Sequence, residues 1–348
     1  MMKRRVSVII TAHDAEATIR EPLRALALQQ LPDDVEMDII VVDDRCSDDT
    51  ARRARQAAAN ASLSLRVVQI STPPLAGSTA RQAALDAGLA LSSSEHVLLL
   101  DADATPAPMW VSAMLEGLDR SDVVAGAIRF RPTPGGVRNR VFASLQSVDA
   151  AYYHGVCALV AASGRPTGVC FGAAAMRRSA LLQVGALSAL GFTLTEDLDF
   201  ARASHAQGLR IGFAPRPSVA VHGAPSLHAL RERALRVSAT GGVSVLAMAL
   251  ALPIATLPII AVGAITGLLS WWLLLGRMAL GAVGLLLALR RTGSGDDAWP
   301  AALVYEWCAC LMAIAIAIHS RGTRVVKWGG VEYSREVALS VARDGARR

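Results

Sequence analysis

The stretch His96-Val97-Leu98-Leu99-Leu100-Asp101-Ala102-Asp103-Ala104-Thr105-Pro106 decides the fold. The apolar run is too short for a helix and lies between a polar cluster and a proline, so it reads as a strand. A second run, Asp38 to Val42, is apolar on both faces, as in a parallel sheet covered on both sides; His96 to Leu100 reads as a fourth strand of the same sheet. It ends on two carboxylates two positions apart. Toward the N-terminus the pattern recurs. Val6 to Ile10 and Asp38 to Val42 are strands, the second ending at Asp43-Asp44, and Leu65 to Ile70 is another. Helical spacing fills the gaps over Ala15 to Gln29, after Ser47 and over Gly77 to Leu91, with Ser47 expected as an N-cap and Asp48 and Asp49 in the first turn. Strands alternating with helices across short loops predict an α/β open sheet, whose ligands bind at the carboxyl ends of the strands. Asp43, Asp44, Asp101 and Asp103 all fall at such ends.

Toward the C-terminus the pattern loosens. Met109 to Leu118 is a helix, Val123 to Phe130 a strand and Asn139 to Val160 a helix. Gly164 to Gly172 is a loop, and Glu196 to Gln207 a helix closed by Gly208. Ile211 to Phe213 and Ser218 to His222 read as two short strands. Leu227 to Val237, with Arg231, Arg233 and Arg236, is a basic amphipathic helix. Beyond it the composition changes. From Val237 to Gly276 there are 40 residues without a charge, and up to Leu289 only Arg277 interrupts. A bilayer core needs about 20 apolar residues per helix, so Val243 to Ile265 and Thr266 to Leu289 predict a membrane hairpin. Arg277 must then face protein or snorkel. A third apolar stretch, Ala298 to Ile318, carries Glu306. Arg290-Arg291 and the tail with Arg321, Arg324 and Lys327 both ask to be cytoplasmic. Either the third stretch is re-entrant or interfacial, or the tail lies outside.

The chain has 348 residues, 53% hydrophobic and 18% charged, with a net charge of +6. This excludes a disordered chain. Cys46, Cys157, Cys170, Cys308 and Cys310 show neither zinc spacing nor a secreted-scaffold density. No zinc finger or basic-aromatic interleaving points to nucleic acid. Met2-Lys3-Arg4-Arg5 is followed by an apolar run too short for a signal peptide. The expectation is a cytoplasmic catalytic domain over residues 1–225, an interfacial helix over 226–242, a membrane segment of two or three helices over 243–319 and a basic tail over 320–348.

Three acidic clusters carry the chemistry. Asp101-Ala102-Asp103 reads either as a solvated turn or as a corner for Mg2+ or Mn2+, hard cations that take oxygen ligands and substrate phosphates. Asp43-Asp44 reads either as part of a helix-capping loop or as acceptors for a base N–H and ribose hydroxyls. Thr195-Glu196-Asp197 opens a helix, where acids favour the dipole, or supplies a general base for a hydroxyl nucleophile.

Taken together, and in this order, these motifs resemble glycosyltransferase family 2, the inverting enzymes of GT-A fold, from about Val6 to Val237. Ile9 to Glu16 is similar to the family's first-strand box, with Thr11 where Pro is usual and Asp14 where Asn is usual. Val42 to Thr50 resembles V-D-D-x-S-x-D-x-T with Cys46 as an extra position. Gly77 and Ala80-Arg81-Gln82-Ala83 resemble the Gly-x-x-x-Ala-x-Asn region, Gln82 replacing Asn. Asp101-Ala102-Asp103 matches D-x-D, Gly168 to Arg178 the acceptor-side loop, and Thr195-Glu196-Asp197 the T/E-D motif. Arg233 and Arg236 match (Q/R)xxRW, with Val237 in place of Trp. Trp328 to Tyr333 resembles, in degenerate form, the W-(K/R)-G-R-x-Y tail of ceramide glucosyltransferase-like and related lipid-modifying members.

The resemblance implies a Rossmann-like mixed sheet with C-terminal transmembrane helices. It implies a UDP-sugar donor touched by Thr11, Ala12, Asp14, Glu16, Asp43, Asp44, Gly77, Arg81, Asp101, Ala102, Glu196, Arg233 and Arg236. It further implies a divalent metal on Asp103 and His222, Asp197 as base, a lipid acceptor, and a multi-pass protein of the cell inner membrane. A processive polysaccharide synthase and an inactive UDP-sugar-binding subunit are the competing accounts. The short membrane segment disfavours the first, and the intact Asp103 and Asp197 disfavour the second.

Overall fold

The computed structural model describes residues 3–72, 74, 77–132, 136–238, 245–293, 295–320, 325–328 and 330–334. Of the expected segments, residues 239–244, Arg321, Arg324, Gly329 and the tail from 335 onward lie outside the described residues.

The first half follows the expected alternation: β1 (Arg4–Ala12), α1 (Arg20–Ala27), β2 (Val35–Asp44), α2 (Thr50–Asn60), β3 (Leu65–Ile70), α3 (Ala80–Leu91) and β4 (His96–Asp101). There follow β5 (Thr105–Pro106), α4 (Trp110–Leu118), β6 (Val123–Arg131), α5 (Val137–Ala162), β7 (Ala173–Arg177), α6 (Arg178–Val184), α7 (Glu196–Ala206), β8 (Ile211–His222) and α8 (Leu227–Ser238). Three apolar helices, α9 (Val245–Ile265), α10 (Trp271–Thr292) and α11 (Gly295–Ser320), lead to a hairpin of β9 (Val325–Trp328) and β10 (Val331–Ser334).

Eight strands form one mixed sheet in the order β3-β2-β1-β4-β7-β6-β8-β5. β1 to β4 pair in parallel, while β7 runs antiparallel to both β4 and β6. Side chains alternate between two cores, as a period of two requires. Val6, Val8 and Ile10 pack with Leu98 and Leu100 beneath Leu23 and Leu26 of α1 and Trp110 of α4. Ile9, Val97 and Leu99 pack on the other face with Leu85 of α3 and Phe200 of α7. Ser7 is the polar exception in β1. Its hydroxyl is satisfied by Asp38 Oδ1 at 2.6 Å and Ser94 Oγ at 2.8 Å.

Several boundaries differ from expectation. α1 begins at Arg20 rather than Ala15. Ala15 instead belongs to the preceding loop, its N–H donating to Thr50 Oγ1 at 2.8 Å. Ser47 is not an N-cap: α2 starts at Thr50, and Asp48 Oδ1 accepts from Thr50 N at 3.0 Å. Ser47 N and Oγ instead donate to Asp14 Oδ1. α3 starts at Ala80 because Thr79 and Gln82 form a capping box. The two short strands expected near the end of the domain are one, β8, which pairs with β6 across a bulge between Gly126 and Ile128.

Each of α9, α10 and α11 contains a stretch long and apolar enough to cross a membrane. Arg277 on α10 reaches Glu306 on α11 at 2.8 Å, and its Nη2 also donates to Pro253 O at 2.5 Å. Pro258 has no N–H to give Ile254 O, and Cys310 Sγ donates to that carbonyl at 3.2 Å. The pair answers the problem that Arg277 posed. Breaking a buried pair strands the remaining charge, at about 3–5 kcal/mol. Arg277→Ala is therefore expected to lower thermal stability in detergent sharply, and Arg277→Met combined with Glu306→Leu to recover most of the loss.

Candidate active site

Strand register assembles the site. Thr11 pairs with Asp101 across β1 and β4, and Ala12 with Asp43 across β1 and β2, so the motif residues reach one sheet edge together. A cavity of about 380 Å³ opens there. Of the expected residues, Thr11, Ala12, Asp14, Asp44, Arg81, Asp101, Ala102 and Asp103 line it, joined by His13, Ala15, Thr18 and Ala84. Asp14 and Arg45, which end the β1 and β2 turns, have φ of 45° and 55°. That left-handed region is one that Asp tolerates and that collects at functional sites.

Not every expected residue lines the cavity. Asp43 is buried, its Oδ1 accepting from Cys46 N at 3.1 Å and its Oδ2 from Gln69 Nε2 at 2.9 Å. Asp44, which does line the cavity, is clamped by Arg45 at 2.7 and 2.9 Å. Glu16 Oε2 accepts from Asp49 N at 3.2 Å, and Gly77 sits in a turn with φ of 91° ahead of α3. Neither Glu16 nor Gly77 lines the cavity, and Glu196, Asp197, Arg233, Arg236 and His222 stand outside its lining as well.

Arg81 joins the two halves of the site. Its Nη2 donates to Asp101 Oδ1 at 2.7 Å, and its Nε lies 2.8 Å from Glu196 Oε1. Burial works against the guanidinium charge, but Asp101 and Glu196 outweigh it and hold Arg81 above the usual arginine value. One planar fork thus ties the end of β4 to the start of α7. Gly172 backs the same carboxylate: a Cβ there would lie 2.3 Å from Asp101 Oδ2. The loop before β7 approaches this closely because Gly172 has no side chain.

Asp197 follows Glu196 in the first turn of α7. Burial, then the adjacent Glu196 charge, push its carboxyl up to about 7, against Arg81 and Arg236. Burial lowers Arg236 to about 10, with Glu196 and Asp197 supporting its charge. Arg236 is thus coupled electrostatically to Glu196 and Asp197. Arg233 lies 4.9 Å over the Phe130 ring.

Asp103 is raised by burial and by Asp101. Among the described residues, no basic side chain lies within ion-pair distance of it. A partly buried carboxylate of this kind, beside a second carboxylate, is a donor set that a hard divalent cation fits. His222 at the end of β8 belongs to a cluster the sequence did not reveal. Its Nε2 is 3.2 Å from both Glu21 Oε2 and Arg131 Nη2, and Arg131 also pairs with Glu21. Arg131 and His222 outweigh the effect of burial and hold Glu21 below its usual value. Among the described residues, His222 makes its side-chain contacts through Nε2.

One further acidic group, Asp14, Cys46 and Asp48, has ligand atoms within 4.8 Å of one another. Its oxygens already serve the loops. Asp48 accepts from Glu16 N and Thr50 N, and Asp14 from Ser47 N. Burial keeps the Cys46 thiol neutral, pushed up to about 12.

The β9–β10 hairpin closes one side of the site. Tyr333 Oη accepts from Ala80 N at 3.0 Å, satisfying a first-turn donor of α3. Val326 and Tyr333 pack on Leu194, just before Thr195. A Cβ on Gly330 would meet His13 Nε2 at 2.4 Å.

Comparison with known proteins bears on the family and the fold. The model of "Glycosyltransferase like family 2" matches residues 4–240. A probable glycosyltransferase of Bacillus subtilis (strain 168), YdaM, is 36% identical over 124 residues, 36% of this chain. The match spans 28% of that relative's length. The mannosyltransferase PcManGT from Pyrobaculum calidifontis, in complex with GDP-Man and Mn2+, superposes with a TM-score of 0.50 at 22% identity, covering 89% of this chain and 88% of that one. S. aureus TarS 1-349 in complex with UDP-GlcNAc gives a TM-score of 0.45 at 18% identity, over 88% and 92% of the two chains. The family match takes in all eight strands of the main sheet, and the chain belongs to glycosyltransferase family 2, with a GT-A catalytic domain.

Proposed function

We propose that the protein moves a sugar from a UDP-sugar to a hydroxyl of a membrane lipid, with inversion at the anomeric carbon, on the cytoplasmic face of the cell inner membrane. The observation that carries this reading is the Asp101–Arg81–Glu196 bridge. It ties the acidic corner of β4 to Glu196, the residue before Asp197 in the first turn of α7, which supports reading the two as parts of one site. PcManGT, with its GDP-Man and Mn2+, supports a nucleotide-sugar and a divalent cation for this cleft as well.

Asp103 would hold the cation, Mg2+ or Mn2+, with His222 Nδ1 as a second donor. When bound, the cation offsets charge on the diphosphate. The remaining steps belong to side chains. The β1 and β4 ends receive the nucleoside. Asp197 takes the proton from the acceptor hydroxyl as that oxygen attacks. Arg236 stabilises charge developing in the buried cleft. Asp197 is poised for this role because its carboxyl is raised toward neutral pH, where a general base is most effective. The apolar helices would keep the cleft against the bilayer, where a lipid presents its headgroup.

The test is transfer of label from UDP-[14C]-sugars to an organic-extractable product, with membrane lipids as acceptor. Labelled lipid that disappears with EDTA and returns with Mn2+ is the expected result. Label that reaches a long water-soluble polymer would favour a polysaccharide synthase.

Gly172→Ala probes the positioning of Asp101. The added methyl displaces a carboxylate oxygen, and a misplacement of this kind costs about 10²-fold in rate. A drop of that order in kcat/KM, with an unchanged unfolding midpoint, is the expected outcome.

A further inference from the structure

The three apolar helices raise a question of parity. If α9, α10 and α11 each crossed a bilayer, everything after Ser320 would lie on the side opposite the catalytic domain. The hairpin that follows does not. Val326 and Tyr333 are buried against Leu194, Tyr333 bonds the start of α3, and Gly330 faces His13 at the cavity. Between Ser320 and Val325 stand only residues 321–324. Fully extended, that connection reaches about 17–18 Å. The hydrocarbon core is about 30 Å thick. The C-terminal end of α11 is therefore on the catalytic side.

The other end of α11 is on the same side. Ala298, Ala301, Ala302 and Tyr305 pack on Val148 and Ala151 of α5, and Tyr305 Oη donates to Asp149 Oδ1 at 2.5 Å. α5 is itself fixed to the sheet, Ser147 Oγ accepting from Phe130 N at 2.9 Å. α11 also packs on α8, the basic helix beside the cleft. A helix tethered to one domain at both ends lies along that domain. Its outward side chains, Leu303, Val304, Leu311, Ile314 and Ile318, are exposed and apolar.

The α9–α10 pair obeys the same rule. Near its start, Tyr152 Oη of α5 donates to Leu250 O at 2.8 Å, and Leu246 packs on Cys157 and Val160. At its end, Arg216 of β8 donates to the carbonyls of Arg290 and Arg291. Its tip carries Leu268 and Trp272, 83% and 80% exposed.

We propose that α11 does not cross the bilayer. It lies along the membrane-facing side of the catalytic domain with its outer face against lipid, so the number of crossings is even and both ends of the described chain share one aqueous compartment. The proposal rests on reading α9–α11 as lipid-embedded, and the test separates the two. The full chain, with an epitope tag at each terminus, is expressed in a bacterial host, and membranes are washed with alkaline carbonate. Right-side-out and inverted vesicles are then treated with protease. The expected result is retention in the membrane, with both tags digested in one vesicle orientation and both protected in the other. Retention with one tag digested in each orientation would overturn the proposal alone. Release by carbonate would overturn the lipid-embedded reading, and the proposal with it.

Discussion

Asp197→Asn is expected to lower kcat by about 10³-fold, within the range assigned to a positioned general base, while nucleotide binding is retained. The amide keeps the shape of the side chain and the bond from Leu198 N to its Oδ1 position, so the fold is undisturbed. The wild-type pH profile carries the same information. Burial and Glu196 raise the carboxyl to about 7. Below that value Asp197 is protonated and cannot accept the hydroxyl proton, so kcat/KM should fall about tenfold for each further unit of acidification. The residual rate of Asp197→Asn should lack that acidic limb. A full acidic limb in the variant would assign the titration to another group.

Arg81→Lys is the second large effect, although it conserves charge. The guanidinium serves Asp101 through Nη2 and Glu196 through Nε at the same time. A single ammonium cannot span both in that geometry. Glu196 is almost fully buried, and leaving a buried carboxylate unpaired costs about 3–5 kcal/mol. The expected result is a marked drop in thermal stability together with a loss of activity of at least about 10²-fold. Arg81→Met should go further in one respect. Arg81 opposes the rise of the Asp197 carboxyl, so removing its charge should move the acidic limb of whatever activity survives to higher pH. An acidic limb unmoved in Arg81→Met would mean that Arg81 and Asp197 do not share a field.

Much of this was legible in the sequence because burial on both faces leaves a plain signature. β2 and β4 are apolar runs that end on acids, and parallel pairing of both with β1 lands those acids at one sheet edge. The link from Asp101 to Glu196 was not legible. The two lie far apart in sequence: β7 runs antiparallel to β4 and ends beside His96 at the opposite edge, and the chain returns through α6 and residues 185–195 before the start of α7 meets Asp101 through Arg81. β7 itself was hidden. Ala173-Ala174-Ala175-Met176 has helical propensity, and its strand conformation is imposed by pairing with β4 and β6. Pro215 and Pro217 made β8 read as two strands. Glu21 and Arg131 carry no motif, and reach His222 through the packing of α1 and β6 around the end of β8. Only the side-chain bonds that tie the β1 and β2 loops could have shown that Ser47 serves Asp14 rather than α2.

The tail is the clearest case of incomplete legibility. The residues of Trp328 to Tyr333 suggested an active-site segment, yet charge and hydropathy alone left its side of the membrane open. Contacts of Tyr333 with Ala80 and of Gly330 with His13 place it at the cleft. These contacts are made by the hairpin conformation and are invisible in composition.

The central claim is that one cleft, built on Asp103 and Asp197, transfers sugar from a UDP donor. UDP release by the detergent-purified chain tests it most directly, with UDP-glucose, UDP-galactose, UDP-GlcNAc and UDP-glucuronate, Mn2+, and membrane lipid present or omitted. The account predicts lipid-stimulated release with one donor, abolished in both Asp103→Ala and Asp197→Asn. Release unaffected by either substitution, or nucleotide that binds without turnover and equally well to wild type and Asp103→Ala, would contradict it.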